Sequence, residues 1–145
     1  MILIDFYDQK MIEEEKIKFA VITAFYNGQL IVVRHKERTS WEIPGGHKEE
    51  FETSEETAKR ELFEETGAKI FELNWVCTYS VNRKGKKSYG QLYYAKIKEL
   101  GELPESEIEE IKLVDVLPGN LTYPLIQPSL FKKAKKYIES VTGRT

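Results

Sequence analysis

The sequence predicts an α/β fold of the mixed α+β kind, with one mixed β-sheet flanked by helices. Three observations support this prediction. Segments typical of strands alternate with segments typical of helices, Asn27-Gly28 between two apolar runs is a strong hairpin signal, and the C-terminal region carries a helical apolar stripe. No repeat and no linker rich in Pro, Gly or Ser interrupts the 145 residues, so we expect one domain over residues 1–145.

The predicted strands are rich in β-branched and aromatic residues. The second and third strands are joined at Asn27-Gly28, and residues 82–87 form the turn of a later hairpin. A short fourth strand leads into a glycine turn at Gly45 and Gly46. In chain order, the predicted strands are residues 2–7, 18–26, 30–34, 41–44, 70–81, 88–97 and 111–116.

Two helices complete the predicted fold. Ser54 is expected to be the N-cap of a helix that continues to about Thr66, and Gly67 is a C-terminal stop signal. In the second helix, near the C-terminal end, apolar residues recur at helical spacing and lysines occupy the solvent side. The apolar stripe consists of Leu130, Ala134, Tyr137, Ile138 and Val141, and the lysines are Lys132, Lys133, Lys135 and Lys136.

Composition and charge limit the possible partners. With a formal net charge of −2, the chain offers no broad basic surface, so we expect no nucleic-acid polymer as partner. No stretch approaches the roughly 20 apolar residues of a transmembrane helix, so we expect no membrane partner. Cys77 is the only cysteine, and residues 1–16 lack the apolar region of a signal peptide. A cytoplasmic location is the default expectation.

Carboxylates are concentrated in residues 46–68. Glu61, Glu64 and Glu65 follow the helical spacing i, i+3 and i+4, so their side chains emerge from one helix face. Such a run is often an ordinary solvated acidic face, but the residues four positions further on supply only one cation, Lys69. Like charges this close favour a bound cation, and hard ions such as Mg²⁺ prefer oxygen ligands. The pattern therefore predicts a metal-assisted phosphate site.

The spacing within this segment resembles the Nudix box, and by chance seven such identities would occur on the order of 10⁻⁸ of the time. Leu62 and Ala68 stand at its apolar positions. The resemblance implies a Nudix-like α/β/α sandwich with a loop-helix-loop box. It also implies Mg²⁺, with Mn²⁺ as a substitute, held by Glu61, Glu64, Glu65 and the Gly46 carbonyl. The seven fixed positions are Gly46, Glu52, Arg60, Glu61, Glu64, Glu65 and Gly67.

Arg60 stands four residues before Glu64 and eight after Glu52. Its fork of donors can orient carboxylates bidentately, and a structural salt bridge would use the same contacts. The resemblance implies that Arg60 and Glu52 brace the box while the metal-binding glutamates support the chemistry.

The proton acceptor is left open between Glu61 and a glutamate outside the box. Four glutamates precede the predicted strand 111–116, and we favour Glu107 among them, although an exposed acidic loop is an equally valid interpretation of each. His35 and His47 lack a partner at metal-ligand spacing and receive no catalytic role. The four candidates are Glu105, Glu107, Glu109 and Glu110.

Three further residues are expected to bind substrate. Arg34 resembles, by position, the family arginine that contacts phosphates, with a surface arginine as the alternative. Gln127 has the donor and acceptor needed to recognise a purine edge, with helix capping as the alternative. Gly45 allows a tight turn against the substrate, since a side chain would obstruct it.

The phrase at residues 41–46, Trp-Glu-Ile-Pro-Gly-Gly, is similar to that of MutT-type nucleoside triphosphate hydrolases. The expected function is hydrolysis of a nucleoside triphosphate to monophosphate and pyrophosphate, with oxidised purine nucleotides as candidate substrates. The alternatives are hydrolysis of ADP-ribose, a dinucleoside polyphosphate or another nucleotide derivative, a non-catalytic nucleotide-sensing module, and a hydrolase or isomerase acting on a substrate without phosphate. We expect a monomer or a homodimer.

Overall fold

A computed structural model describes residues 1–143. It contains seven strands, two α-helices and one short 3₁₀ helix at Glu14–Lys16. In chain order they are β1 (Ile2–Tyr7), β2 (Ile17–Tyr26), β3 (Gln29–His35), β4 (Gly45–His47), α1 (Ser54–Thr66), β5 (Ala68–Arg83), β6 (Lys86–Leu100), β7 (Ile108–Val114) and α2 (Gln127–Thr142).

The seven strands form a single mixed sheet. Its order is β1-β5-β6-β2-β3-β7, and β4 pairs with β2 beside this path. Every neighbouring pair is antiparallel except β2 and β6, which run parallel at the centre. The parallel pair requires a long crossover connection, and α1 lies within that connection.

The two α-helices cover opposite faces of this sheet. Ala58 and Leu62 of α1 belong to one buried cluster, whereas Leu130 and Ala134 of α2 belong to another. Because successive side chains of a strand point to opposite faces, β2 contributes to both clusters. The predicted α/β/α sandwich is therefore confirmed. The β2 residues in the α1 cluster are Ala20, Ile22 and Ala24, and those packed against the α2 cluster are Phe19 and Val21.

The predicted strand at residues 41–44 is wrong. This segment makes only isolated bridges, from Glu42 to Val33 and from Trp41 to Leu121, and the strand begins instead at Gly45. Pro44 has no N–H to donate, and the Ile43 N–H donates to a side chain of α2. The segment therefore cannot continue a regular ladder.

The predicted N-cap is displaced by one residue. Thr53, not Ser54, caps α1, and it forms a reciprocal capping box with Glu56. Ser54 is the first helical residue, and both its N–H and its hydroxyl donate to the Glu14 carboxylate. The predicted stop is confirmed, since Gly67 has φ 81° and its N–H donates to the Phe63 carbonyl.

Smaller differences concern the two C-terminal elements. β7 begins three residues before its predicted start, at Ile108. In α2 the stripe is buried at Leu130 and Ala134, but Val141 near the helix end is exposed. Lys133 does not simply face solvent, because its ammonium lies 2.8 Å from the Asp8 carboxylate. Within residues 1–143, no helix has the length and apolar character needed to cross a membrane.

Gly90 gives a direct test of the packing in the sheet. A Cβ there would lie 2.5 Å from Phe19 Cδ2 and 2.6 Å from Tyr79 Cζ, so an added methyl group forces both rings to move. We expect Gly90→Ala to lower the free energy of unfolding by about 1–3 kcal/mol. Gly119→Ala is the matched control, because a Cβ there meets nothing within 4 Å. Equal denaturation midpoints for the two variants would contradict this packing.

Candidate functional site

The site lies where β2 and β3 separate. These strands pair only next to their hairpin, at Phe25 with Leu30 and at Tyr26 with Gln29. Further along, β2 pairs with β4 instead of β3, with Gly45 opposite Val21 and His47 opposite Phe19. The sequence predicts a turn at Gly45 and Gly46, but both glycines lie in the strand β4, next to α1.

Gly46 lies against the carboxylate of Glu61. A Cβ at position 46 would overlap the Glu61 carboxyl group, so the close approach of β4 to α1 requires glycine there. This contact places the backbone of β4 beside Glu61, one of the predicted metal-binding residues.

The guanidinium of Arg60 connects the loop before α1 to the helix itself. Its Nε donates to Glu52 at 2.6 Å, and its Nη1 donates to Glu61 at 2.6 Å and to Glu64 at 3.0 Å. Nη2 donates to Glu52 at 3.0 Å and to the His47 carbonyl at 3.2 Å. The predicted contacts of Arg60 with Glu52 and Glu64 are therefore present, and the contact with Glu61 is an addition.

The glutamates of the box have very different acidities. Hydrogen bonds from Arg60 lower the pKa of Glu52 to about 2. Burial raises the pKa of Glu61 to about 7, against the opposing effect of the Arg60 charge. Burial also raises the pKa of Glu65 to about 8, opposed by the Gly45 N–H, and the nearby Glu61, Glu42 and Glu107 carboxylates add to the rise. The site thus holds buried carboxylates whose ionisation is unfavourable without a further positive charge.

The donor set fits a hard divalent cation in its chemistry. Glu65 is buried and Glu61 is half-buried, their charges repel each other, and Glu64 lies on the same helix face, so these carboxylates offer the oxygen donors that such an ion prefers. Within residues 1–143, however, no three acidic, histidine or cysteine side chains lie in position to hold an ion. Glu61 and Glu64 both bind Arg60, and Glu65 accepts from the Gly45 N–H at 3.0 Å.

A second polar group borders the box and contains residues that the sequence analysis did not select. The buried Glu42 accepts from His35 Nε2 at 3.0 Å and from Arg38 Nη1 at 3.0 Å. His35 also lies 3.9 Å from Glu65 and 3.7 Å from Glu107. The Tyr123 hydroxyl and the Glu42 carboxylate beside the guanidinium raise the pKa of Arg38.

These groups open onto a cavity of about 730 Å³. This volume lies within the usual range for small-molecule sites, about 300–1,000 Å³. Its lining includes both residues of the box and apolar residues. The apolar lining includes Phe19, Val21, Tyr79, Val81, Ile126 and Leu130.

The structure brings most of the predicted site residues to this cavity. Glu52 and Glu64 do not line it but contact Arg60, which does. The residues that line it directly are Gly45, Gly46, Arg60, Glu61, Glu65, Glu107 and Gln127.

Arg34 is placed elsewhere. Its guanidinium donates to Glu110 at 3.2 Å and to the Arg38 carbonyl at 3.1 Å, and it does not line the cavity. A β-bulge between Arg34 and His35 changes the register against β7, and His35 is the neighbour that lines the cavity. Contact of Arg34 with substrate phosphates stays a prediction.

Gln127 is buried at the start of α2. Its Oε1 accepts from the Ile43 N–H at 2.8 Å. The side chain therefore binds the segment before β4 and does not cap the helix. Since an N–H can only donate, this contact identifies the oxygen and leaves the amide nitrogen for other partners. Recognition of a base by Gln127 stays a prediction.

The NUDIX domain family model matches residues 16–122. The chain belongs to the Nudix hydrolase family. The match covers the whole box, the cavity-lining strands β2 to β4 and the loop that carries Glu107.

The chain is similar to Bacillus subtilis (strain 168) YtkD, whose name assigns it provisionally to the 8-oxo-dGTP diphosphatases. The two are 35% identical over 100 residues, which are 67% of this chain and 61% of YtkD. The aligned region thus spans less than two thirds of the length of this curated relative.

Solved Nudix structures have the same fold. The crystal structure of a mutant of the Bacillus subtilis pyrophosphohydrolase BsRppH is 26% identical, with a TM-score of 0.76 over 92% of this chain and 90% of that one. The NUDIX domain of Shewanella oneidensis NrtR, in complex with ADP ribose, is 21% identical, with a TM-score of 0.67 over 91% and 94%. The second likeness shows the fold alone.

The raised pKa of Glu65 predicts an unusual effect of Glu65→Gln. In the metal-free protein the folded-state pKa of about 8 lies above the ordinary value of 4.5, so the unfolded chain releases this proton first and stability falls as the pH rises between those values. Gln cannot ionise and can still accept from Gly45. We therefore expect the variant to melt at a higher temperature than wild type at pH 8, and at nearly the same temperature at pH 5.

Melting curves with a chelator between pH 5 and pH 8 measure this difference directly. Comparing the two proteins at each pH cancels the titration of groups that do not interact with Glu65. Mg²⁺ added at pH 8 should raise the wild-type midpoint more than that of the variant. A pH-independent difference between the two midpoints would show that Glu65 is not perturbed by burial.

Proposed function

We propose that this protein hydrolyses a phosphoanhydride bond of a nucleotide with the help of Mg²⁺, which Mn²⁺ can replace. The observation that carries the proposal is the placement of Arg60, Glu61 and Glu65 at a cavity in the size range of small-molecule sites, with Glu52 and Glu64 bound to Arg60. Proteins of this family generally depend on divalent metal ions. Glu61, Glu64, Glu65 and the Gly46 carbonyl are the residues that would hold the ion.

Each residue of the box then has a defined task. A bound Mg²⁺ would neutralise negative charge on the pyrophosphate and would lower the pKa of a bound water molecule. Arg60 and Glu52 hold Glu61 and Glu64 in place, and Gly45 and Gly46 let β4 pack closely against β2 and Glu61. Water adds to one phosphorus atom, the bridging P–O bond breaks, and a carboxylate accepts the proton of the water.

Glu107 is our candidate for that carboxylate. Its side chain is 88% exposed, lies at the cavity and has Oε2 3.7 Å from His35 Nδ1. The Lys36 N–H donates to the Glu107 carbonyl at 2.8 Å, which fixes the backbone of this loop to the end of β3. Glu61 is the alternative, since burial raises its pKa to about 7, close to neutral pH.

The proposed substrate is a nucleoside triphosphate, which would yield a monophosphate and pyrophosphate. Support comes from the Trp41–Gly46 phrase and from the 35% identity to YtkD, and the latter brings oxidised guanine nucleotides into the first test. ADP-ribose, dinucleoside polyphosphates and nucleotide sensing without hydrolysis remain the alternatives. We propose a cytoplasmic monomer or homodimer.

Turnover of a nucleotide panel tests the proposed function. The panel contains canonical and oxidised triphosphates, ADP-ribose and dinucleoside polyphosphates, with phosphate and pyrophosphate measured separately. We expect a triphosphate to give pyrophosphate only with Mg²⁺ or Mn²⁺, and Glu64→Gln to reduce the rate at least about 100-fold. Nucleotide binding without turnover of any compound would support a sensing module instead.

Glu107→Gln tests the proposed proton acceptor. If Glu107 takes the proton of the attacking water, kcat should fall about 10²- to 10⁴-fold while KM changes little. Glu105→Gln is the matched control, since Glu105 lies two residues away, is 97% exposed and contacts Lys36 rather than His35. Wild-type kcat in both variants would leave Glu61 as the acceptor.

A further inference from the structure

A glutamate far from the box in sequence contacts both ends of its loop. Glu14 lies in the 3₁₀ helix just before β2, and its carboxylate accepts from the N–H and from the hydroxyl of Ser54 at the start of α1. Its carbonyl accepts from Lys48 Nζ at 2.9 Å, and the same ammonium lies 3.8 Å from its carboxylate. We call the segment 48–53 between these contacts the box loop.

The surrounding sheet explains why Glu14 can reach both ends. β4 runs antiparallel to the start of β2, and the Lys48 N–H donates to the Lys18 carbonyl at 2.8 Å. The box loop therefore leaves the sheet beside the residues that follow Glu14. On the other side, the Tyr93 hydroxyl of β6 donates to Ser54 Oγ at 3.3 Å, which fixes the hydroxyl that Glu14 binds.

The backbone of the box loop needs such support. Phe51 has φ 70° and its side chain is 95% exposed, so the ring gains no packing that would favour this conformation. A non-glycine residue in this region is strained and persists only where its surroundings determine the chain path. The contact of Glu14 with the first N–H of α1 also has favourable electrostatics, because anions are stabilised at helix N-termini.

The path of the box loop determines where Glu52 lies. The Glu52 carboxylate accepts from the Glu49 N–H at 2.9 Å within the loop and from Arg60 across it. Arg60 in turn binds Glu61 and Glu64. A shift of the loop would therefore move Glu52 away from Arg60 and release the two carboxylates that Arg60 orients.

We propose that Glu14 is a positioning residue for the metal-dependent site. It acts through the box loop and Arg60 and touches neither substrate nor metal. This inference rests on the proposed function, since it assigns Glu14 a task in holding the residues that would bind the ion.

The test compares Glu14→Ala and Glu14→Gln with Glu15→Ala. Glu15 belongs to the same 3₁₀ helix, carries the same charge and is exposed, so its variant controls for net charge. Mn²⁺ binding to the purified protein, followed by electron paramagnetic resonance without nucleotide, gives a readout that does not depend on turnover. Hydrogen exchange of residues 49–53 measures the loop, and melting temperature measures the fold.

We expect Glu14→Ala to weaken Mn²⁺ binding about 10-fold and to raise the Mg²⁺ concentration for half-maximal activity by a similar factor. Exchange in the box loop should become faster. Glu14→Gln keeps one acceptor for the Ser54 N–H and should show a smaller effect. Glu15→Ala should match wild type in Mn²⁺ binding, in the Mg²⁺ concentration for half-maximal activity, in loop exchange and in melting temperature.

Two outcomes would overturn the inference. One is wild-type Mn²⁺ binding and loop exchange in Glu14→Ala, and the other is a lower melting temperature with unchanged Mn²⁺ binding, which indicates a purely structural role. If wild type binds Mn²⁺ but hydrolyses no nucleotide in the panel, the proposed function fails while Mn²⁺ binding and exchange still decide the role of Glu14.

Discussion

The guanidinium of Arg60 is a single positive charge among four carboxylates, those of Glu49, Glu52, Glu61 and Glu64. One cation cannot neutralise four anions, so the arginine assembles the cluster and leaves it negatively charged. Its planar fork is essential because three donor nitrogens serve different partners at once, which an ammonium cannot do with the same geometry. The loop before α1, the helix and β4 all meet at this side chain, so the arrangement of the box depends on it.

The same interaction explains how one residue type performs different tasks. Arg60 keeps Glu52 ionised, with a pKa of about 2, whereas burial raises the pKa of Glu65 to about 8. Identical carboxylates are therefore divided into a permanently charged brace, Glu52, and a buried group, Glu65, whose ionisation is unfavourable without a nearby positive charge. Folding tolerates this unfavourable burial because the sheet forms two separate apolar cores, one with α1 and the other with α2. Local instability at the site is a cost of its proposed function.

The part of the site that the sequence predicts is the part fixed by short-range geometry. Helical spacing brings Arg60 to Glu64, so this contact follows from residue numbers alone. The α/β/α layers also follow from the sequence, because the alternating strands and helices carry apolar faces that are buried when helices pack on both sides of the sheet.

Contacts between residues far apart in the chain could not be predicted from the sequence. The contact of Gln127 with Ile43 joins residues 84 positions apart, and that of Arg34 with Glu110 joins residues 76 positions apart. The pairing of β3 with β7 shifts register between Arg34 and His35, and periodicity cannot reveal such an irregularity. Glu42 had a visible signal, its place within the Trp41–Gly46 phrase, but its role depends on its contacts with His35 and Arg38.

The central parallel pair of strands has a consequence for biosynthesis. Thr23 of β2 donates to the Tyr93 carbonyl of β6, a contact between residues 70 positions apart. At roughly 5–20 residues per second, a ribosome needs about 4–14 s between these two positions. During that interval β2 has one edge without its native partner, and the nascent chain exposes the apolar residues that β6 later covers. Chaperone occupancy of this chain during translation should therefore be greatest before β6 emerges.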